Sequence, residues 1–321
     1  MKLINITRSL LLSSVVIFGM VSASEALAGA PMVKQSAPGF YRIMLGDFEL
    51  TVLSDGTVDL PMDKLLHQAT ETTMAQLAES FLTAPVESSV NAYLVNTGQK
   101  LVLIDSGAGS LFGPTLGKLL QNLKASGYDA AQIDEILITH MHPDHVGGLA
   151  TEQQRVFPNA VVRASQQDAD YWLSQSQMDS ADEDSKGFFQ GAMASLNPYV
   201  SANKFQPFSD NGPIMTGISA VSTPGHTVGH TSYVIESNGQ TLWVIGDLIH
   251  AAAVQFAHPE VTIDFDTKPK QAQITRQKVF TNLAEGKVML GATHIQFPGL
   301  GHVRKLDDGF SWVPVNYQRI R

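Results

Sequence analysis

The feature that most constrains this chain is a short run that carries four potential metal ligands, His140-Met141-His142-Pro143-Asp144-His145. An apolar segment, residues 133–139, leads into the run and predicts a buried strand. Alternate side chains of an extended backbone point the same way, so His140 and His142 can reach one ion. Pro143 ends the extended path, which lets Asp144 and His145 address a second ion. The run therefore predicts a sheet edge that presents imidazole and carboxylate groups to two metal ions.

Three more potential ligands follow predicted strands in the second half of the chain. They are His226 after residues 218–222, Asp247 after residues 241–245, and His294 after residues 287–290. Loops at strand ends allow a rigid scaffold to bring such groups to one point. Seven ligands are too many for one tetrahedral ion, but two ions that share a carboxylate can use them all. Imidazole and carboxylate groups favour zinc, and they also accept manganese, cobalt or iron.

The remaining histidines fit this pattern less well. His302 competes with His294 for the last position, and His294 is favoured because it ends an apolar segment as the other ligands do. His230 stands at the entrance of a predicted strand and is expected to be structural. The same expectation holds for His67 and His258, which have no other potential ligands beside them in the sequence.

The order of predicted elements favours a layered α/β protein. Short apolar strands alternate with helices in both halves of the chain, which indicates mixed sheets covered by helices. Helices are predicted over residues 62–81 and 269–283. Residues 165–198 form a helix-rich insertion that could act as a lid or as a pocket wall.

Charge and composition exclude several classes of protein. The formal net charge is −9, without basic runs, which argues against a nucleic-acid partner. The sequence has no cysteine, which excludes disulfides, metal bound by thiolates and thiol catalysis. Hydrophobic residues make up 44% of the chain, enough to build a large core.

The first 28 residues are typical of a secretory signal peptide. Lys2 and Arg8 precede an apolar stretch over residues 10–21, and Ala26-Leu27-Ala28 fits a cleavage site. An uncleaved membrane anchor is the alternative. We expect a secreted or periplasmic protein with no membrane association after cleavage, a lead over residues 29–45, and one folded domain over residues 46–321.

The ligand motifs resemble those of the metallo-β-lactamase superfamily. The segment 139–148 looks like that family's HxHxDH signature, and residues 105–107, 223–230 and 246–247 are similar to its other motifs in the same order. The resemblance implies an αββα sandwich, two mixed sheets flanked by helices, with the site at one edge of the sheets. It implies the following roles: His140, His142 and His226 on one ion, Asp144, His145 and His294 on the other, Asp247 as the bridge, and Asp105 as a support for the ligand loops.

This resemblance also implies a dinuclear hydrolase. A hydroxide held between the two ions would attack an ester-type bond in a lactone, an aryl ester or an organophosphate triester. The alternatives are a thioesterase similar to glyoxalase II, a β-lactamase, and a metal-binding or di-iron relative without hydrolytic activity. Relatives often dimerise, so a homodimer is possible.

Residues 246–250, 261–266 and 294–299 look like the methyl parathion hydrolase branch, which is close to the quorum-quenching lactonases. His250 stands where many of those lactonases carry tyrosine, a departure that favours the parathion-hydrolase-like branch over a tyrosine-assisted lactonase. The expected catalytic residues are Asp144, Asp247 and His250. The branch places aromatic pocket walls at four positions, which here are Phe112, Trp172, Phe188 and Phe189. A small substrate with an apolar or aromatic group would suit such a pocket.

Overall fold

The first sheet begins earlier in the chain than the sequence predicts. The computed structural model describes residues 30–34, 36–209 and 211–320, so the predicted signal peptide lies outside the described residues. Strand β1, Phe40–Leu45, falls within the predicted lead over residues 29–45 and pairs with the next strand along its whole length. The boundary predicted at residue 46 is therefore wrong. The compact unit begins at Ala37.

The described residues form strands and helices that alternate as predicted. The strands are β1 (Phe40–Leu45), β2 (Phe48–Leu60), β3 (Val86–Asn96), β4 (Leu101–Ile104), β5 (Glu135–Leu137), β6 (Ala150–Thr151), β7 (Gln154–Arg155), β8 (Val161–Arg163), β9 (Gly212–Met215), β10 (Ile218–Ser222), β11 (Thr231–Ser237), β12 (Gln240–Val244), β13 (Met289–Gly291), β14 (Leu300–Lys305) and β15 (Phe310–Pro314). The helices are α1 (Met62–Leu65), α2 (Thr70–Glu79), α3 (Leu119–Ala125), α4 (Pro143–Val146), α5 (Gln166–Trp172), α6 (Gln175–Ser180), α7 (Glu183–Ser201), α8 (Ala252–Gln255) and α9 (Pro269–Gly286), with 3₁₀ turns at Ala130–Gln132 and Gly147–Leu149.

Two mixed sheets contain most of these strands. The first has the order β1-β2-β3-β4-β5-β8, with β4, β5 and β8 parallel to one another. The second has the order β15-β14-β13-β12-β11-β10-β9, and only its β12–β13 pair is parallel among the described residues. Parallel pairs need crossover connections, and these bring helices onto the outer faces of the sheets.

Three apolar layers hold the sheets and helices together. The central layer lies between the sheets and includes Val52 and Tyr93 from the first and Tyr233 and Val244 from the second. A second layer packs the other face of the first sheet against α3, α5 and α7, and a third packs the second sheet against α9. The predicted αββα sandwich with two mixed sheets is confirmed.

Tertiary pairing interrupts the single helix predicted over residues 62–81. The chain forms α1 and α2 instead, because Leu66 adopts an extended backbone and bridges to Ile263. The adjacent amide of His67 donates to the Thr262 carbonyl at 2.9 Å. Local helix propensity is weaker than such a bridge combined with the burial of Leu66. None of the helices among the described residues has the length and apolar character that crossing a bilayer requires.

Candidate metal centre

The ligand run turns sharply where β5 leaves the first sheet. His142 keeps an extended backbone and caps α4, a single helical turn whose first residue is Pro143. Proline suits that position because its fixed φ is already helical and it lacks the amide that would be unpaired there. The turn directs Asp144 and His145 away from the direction of His140 and His142. This local geometry is the one predicted from the sequence.

One group of potential ligands brings together three imidazoles and a carboxylate. The Nε2 atom of His226 lies 3.2 Å from His140 Nε2 and 3.0 Å from His142 Nδ1. The Oδ2 atom of Asp247 lies 3.4 Å from His226 Nε2 and 3.7 Å from His140 Nε2. All four side chains are buried. Their ligand atoms lie within 4.8 Å of one another, so they could hold one ion.

The second group contains two imidazoles and two carboxylates. His294 Nε2 lies 3.3 Å from Asp144 Oδ2 and 3.1 Å from Asp247 Oδ2. His145 Nε2 lies 3.2 Å from the other carboxylate oxygen of Asp247, Oδ1. Asp247 therefore belongs to both groups and stands between them. The structure thus brings all seven predicted ligands to one place.

The clustered ligand atoms are better satisfied by divalent cations than by hydrogen bonds among themselves. His145 Nε2 and Asp247 Oδ1 are 3.2 Å apart but not aligned for a hydrogen bond, and neither has another partner among the described residues. Such buried, unpaired atoms cost free energy unless something else binds them. Burial, reinforced by the neighbouring His145, lowers the pKa of His140 well below its usual value. It is therefore neutral, which is the state that binds metal. The two groups fit two divalent ions with a shared carboxylate.

The second group also has a strong preference for positive charge. Burial opposes protonation of His294, yet Asp247 and Asp144 together raise its pKa to about 10. Two carboxylates in a buried space produce a negative potential that a divalent cation would neutralise. The chemistry of the donor set therefore agrees with its geometry.

Hydrogen bonds fix the orientation of the ligand imidazoles. Asp105 Oδ2 lies 2.9 Å from His145 Nδ1 and accepts a hydrogen bond from the Thr139 hydroxyl at 2.8 Å. His294 Nδ1 lies 3.0 Å from the Ser89 carbonyl oxygen. Such partners hold the ring and increase the basicity of its ligand nitrogen. Asp105 stands in neither ligand group, in keeping with the supporting role that the resemblance implies.

A buried ion pair behind His226 was not predicted from the sequence. Asp266 Oδ1 lies 3.0 Å from His226 Nδ1, and Asp266 Oδ2 lies 3.7 Å from Arg276 Nη2. Arg276 is fully buried. Burial alone would raise the pKa of Asp266, but the hydrogen bond with His226 and the charge of Arg276 hold it below its usual value. Asp266 therefore stays ionised and orients His226.

A second buried carboxylate, also not predicted, ties two ligand loops together. Asp168 accepts hydrogen bonds from the Met141 amide at 3.2 Å, the Thr227 hydroxyl at 2.9 Å and the Gly229 amide at 2.6 Å. Met141 lies between two ligands of the first group, and Thr227 follows the third. Asp168 thus holds these loops at a fixed separation.

The other histidines occupy distinct places. His230 supports the site through the backbone, since its Nε2 accepts the Asp247 amide at 3.1 Å. His250 Nε2 lies 3.1 Å from Asp247 Oδ2, and the His250 ring stacks on that of His294. His302 is part of β14, outside both ligand groups. His67 bonds to Asp264 at the surface.

A small apolar cavity of about 60 Å³ opens onto both ligand groups. Phe112 and Phe188 line it as predicted, and so does His250. Trp172 and Phe189 do not: Trp172 packs edge-to-face behind His142, and Phe189 is fully buried in the core. The prediction that these two residues line the pocket is wrong. The helix α7 directs the adjacent side chains of Phe188 and Phe189 to different faces, and Trp172, the last residue of α5, packs into the core. Four apolar lining residues were not predicted, namely Val58, Leu60, Leu116 and Phe265.

We expect Phe189→Ala to affect mainly the stability of the protein and Phe188→Ala to affect mainly substrate binding. Phe189 packs against Trp172 with ring centroids 4.7 Å apart, so its truncation should lower the free energy of unfolding by about 3–5 kcal/mol. Phe188 faces the cavity, so its truncation should mainly raise KM, by about tenfold if roughly 1.4 kcal/mol of apolar contact is lost. Chemical denaturation and steady-state kinetics of both variants test this. Equal destabilisation with unchanged KM would contradict it.

Comparison with known proteins agrees with this geometry. The model of the metallo-beta-lactamase superfamily matches residues 85–289. The crystal structure of the hydrolase AbOPH, in the beta lactamase superfamily, is 36% identical with a TM-score of 0.85, over 89% of this chain and 100% of that chain. AidC, a dizinc quorum-quenching lactonase in complex with the product N-hexanoyl-L-homoserine, is 28% identical with a TM-score of 0.81, over 88% of this chain and 99% of that chain.

A curated relative from Bacillus subtilis (strain 168), the uncharacterised protein YobT, is 28% identical over 210 residues. The match covers 63% of this chain and 84% of YobT. The family match covers more than half of this chain and includes six of the seven clustered ligands, all except His294. This chain therefore belongs to the metallo-β-lactamase superfamily.

Proposed function

We propose that this chain is a dinuclear metal-dependent hydrolase that cleaves ester-type bonds in small substrates with an apolar group. The observation that carries the proposal is the pair of ligand groups that share Asp247 and open into an apolar cavity. The likeness to AbOPH, a hydrolase, and to AidC, a lactonase with an acylated product, supports the same reaction class.

In this proposal the seven clustered side chains hold two divalent ions, with zinc as the expected metal. His140, His142 and His226 would hold one ion, Asp144, His145 and His294 would hold the other, and Asp247, which belongs to both groups, would contribute to each. Two such ions, when bound, lower the pKa of water and polarise the oxygen of a scissile bond.

The cavity wall offers groups that can handle protons and orient the substrate. Asp144 is partly exposed to the cavity, so its carboxylate can accept a proton from the attacking water. Burial lowers the pKa of His250 to about 4, so its imidazole is neutral. His250 Nδ1 has no hydrogen-bond partner among the described residues. Because His250 lines the cavity, its imidazole can bond to a polar atom of the substrate beside the metal ligands.

The lining of the cavity favours an uncharged, apolar substrate. Leu60, Leu116 and Phe265 contribute apolar surface opposite the ligands. A lactone, an aryl ester and an aryl phosphotriester each combine an electrophilic centre with such a group. Lactone or carboxylic ester hydrolysis is the activity we propose as native, since synthetic triesters are recent substrates.

Hydrolysis by protein of known metal content tests the proposal. An acyl-homoserine lactone, an aryl carboxylic ester and an aryl phosphotriester should be compared, and we expect kcat/KM above about 10⁴ M⁻¹s⁻¹ for at least one of them. Removal of metal with a chelator should abolish the activity, and added Zn²⁺ should restore it. Protein that holds two metals per chain and cleaves none of the three substrates would overturn the proposal.

A further inference from the structure

The cavity at the ligands is too small to hold a whole substrate. Its volume of about 60 Å³ has room for about five water molecules, whereas sites for small-molecule ligands usually measure roughly 300–1,000 Å³. The reacting group alone can fit there. The rest of a substrate must therefore extend out of the cavity.

A larger groove adjoins the cavity at a shared pair of aromatic residues. Phe112 and Phe188 line both spaces, so the groove begins where the cavity ends. The groove measures about 440 Å³, which is within the range of ligand sites. Its floor includes Pro143, which lies between the ligands His142 and Asp144 in the sequence. A group in the groove would thus lie directly beside the reacting bond.

The surface of the groove is mostly apolar. Leu111 and Phe112 are 42% and 41% exposed on one side, and Gly187, Gly191 and Ala194 of α7 form the other. Gly191 lets the helix approach Pro143 closely, since an added Cβ would stand 3.0 Å from Pro143 Cγ. Among the described residues of the lining, Asp184 is the charged one, and it would repel an anionic group.

We propose that this groove binds the neutral alkyl tail of an acylated ester or lactone, whose reacting carbonyl enters the cavity past Phe112 and Phe188. This inference rests on the proposed function and specifies its substrate class as long-chain acyl compounds. The continuity of the groove with the cavity, its apolar lining and its volume support that occupant. A second protein surface in the groove is the competing occupant.

A series of acyl chain lengths tests the proposal. N-acyl-L-homoserine lactones with 4, 6, 8 and 10 carbons serve as substrates of the metal-loaded enzyme, and the corresponding ring-opened N-acyl-L-homoserines serve as ligands in calorimetry. Each methylene that becomes fully buried increases the affinity about fourfold, and each methylene that lies in an open groove increases it about twofold. We therefore expect kcat/KM to rise, and Kd to fall, by roughly 16-fold between 4 and 8 carbons.

The variant Gly187→Leu fills the groove without a steric conflict. A Cβ at Gly187 meets nothing within 4 Å, and a leucine favours the helix more than glycine does. We expect this variant to reduce the ratio of kcat/KM between the 8- and 4-carbon substrates by about tenfold. Asn197→Leu is the matched control, because Asn197 is exposed on α7 outside the groove and should leave that ratio at the wild-type value.

Each outcome separates this proposal from the proposed function. If metal-loaded protein cleaves neither the lactones, nor the aryl ester, nor the aryl phosphotriester, the proposed function fails, and the Kd series still decides whether the groove binds alkyl chains. If lactones are cleaved but neither kcat/KM nor Kd depends on chain length, the groove proposal is overturned. It is also overturned if Gly187→Leu changes only the association state in sedimentation, because the groove would then be an interface between copies of this chain.

Discussion

Asp247→Ala should lose both hydrolytic activity and most of its bound metal. Asp247 is the side chain that both ligand groups share, with one oxygen 3.2 Å from His145 Nε2 and the other 3.1 Å from His294 Nε2. Its removal would take one ligand away from each of the two candidate metal sites. Charge stabilisation by the metals is worth several kcal/mol, so we expect kcat/KM to fall by at least about 10³-fold. Elemental analysis should find fewer than two metals per chain.

Two further variants make this result interpretable. Asp247→Asn keeps the size of the side chain and one oxygen that can bind a metal, so it should retain more metal than the alanine variant while it stays poorly active. Asp264→Ala removes an exposed carboxylate from the same half of the chain, and it should keep wild-type metal content and activity. An Asp247→Ala protein with two tightly bound metals and near-normal kcat/KM would rule out Asp247 as the bridge.

Arg276→Met should cause a large loss of stability, comparable to that expected for Phe189→Ala. The guanidinium donates to the carbonyls of Pro259 and Val261 at 2.9 and 2.8 Å, and also to that of Leu248. It is the cation that faces Asp266. Methionine fills much of the same volume but leaves a buried carboxylate without its cation. We expect a loss of about 3–5 kcal/mol in the free energy of unfolding and a fall in Tm of roughly 10 °C.

A double variant separates charge from packing at this position. Arg276→Met with Asp266→Asn removes both charges, so it should be more stable than Arg276→Met alone. Arg304→Met, at an exposed position of β14, should change the free energy of unfolding by less than about 0.5 kcal/mol. Urea unfolding of the metal-loaded proteins measures all three. If Arg276→Met lowers the free energy of unfolding by less than about 1 kcal/mol, the ion pair is not needed to stabilise this region.

The ligands could be predicted because their positions follow from strand pattern alone. Each apolar strand ends at a sheet edge, so a polar residue just beyond it lies near its counterparts on other strands. Asp266 and Arg276 could not be found in this way. They follow no apolar strand in the sequence, and only the packing of α9 brings Arg276 beneath the loop that carries Asp266.

The orientation of adjacent aromatic side chains also could not be predicted from the sequence. Phe188 and Phe189 are adjacent and chemically identical, and the sequence alone does not decide which one faces the cavity. The bounds of α7 and its packing on the first sheet decide it. Similarly, the break between α1 and α2 depends on a bridge to Ile263, almost 200 residues further along the chain.

The position of the ligand groups between the two sheets has a consequence for the durability of the protein. His140 and His145 leave the first sheet, whereas His226, Asp247 and His294 leave the second. Bound ions would therefore cross-link segments as far apart as Asp144 and His294, which share one ligand group and are 150 positions apart (294 − 144). Closing so long a loop restricts the unfolded chain in the way that a disulfide does. The chain has no cysteine, so metal coordination would take the place of disulfides as its cross-links. Resistance to heat and to proteases should therefore depend on the metal supply.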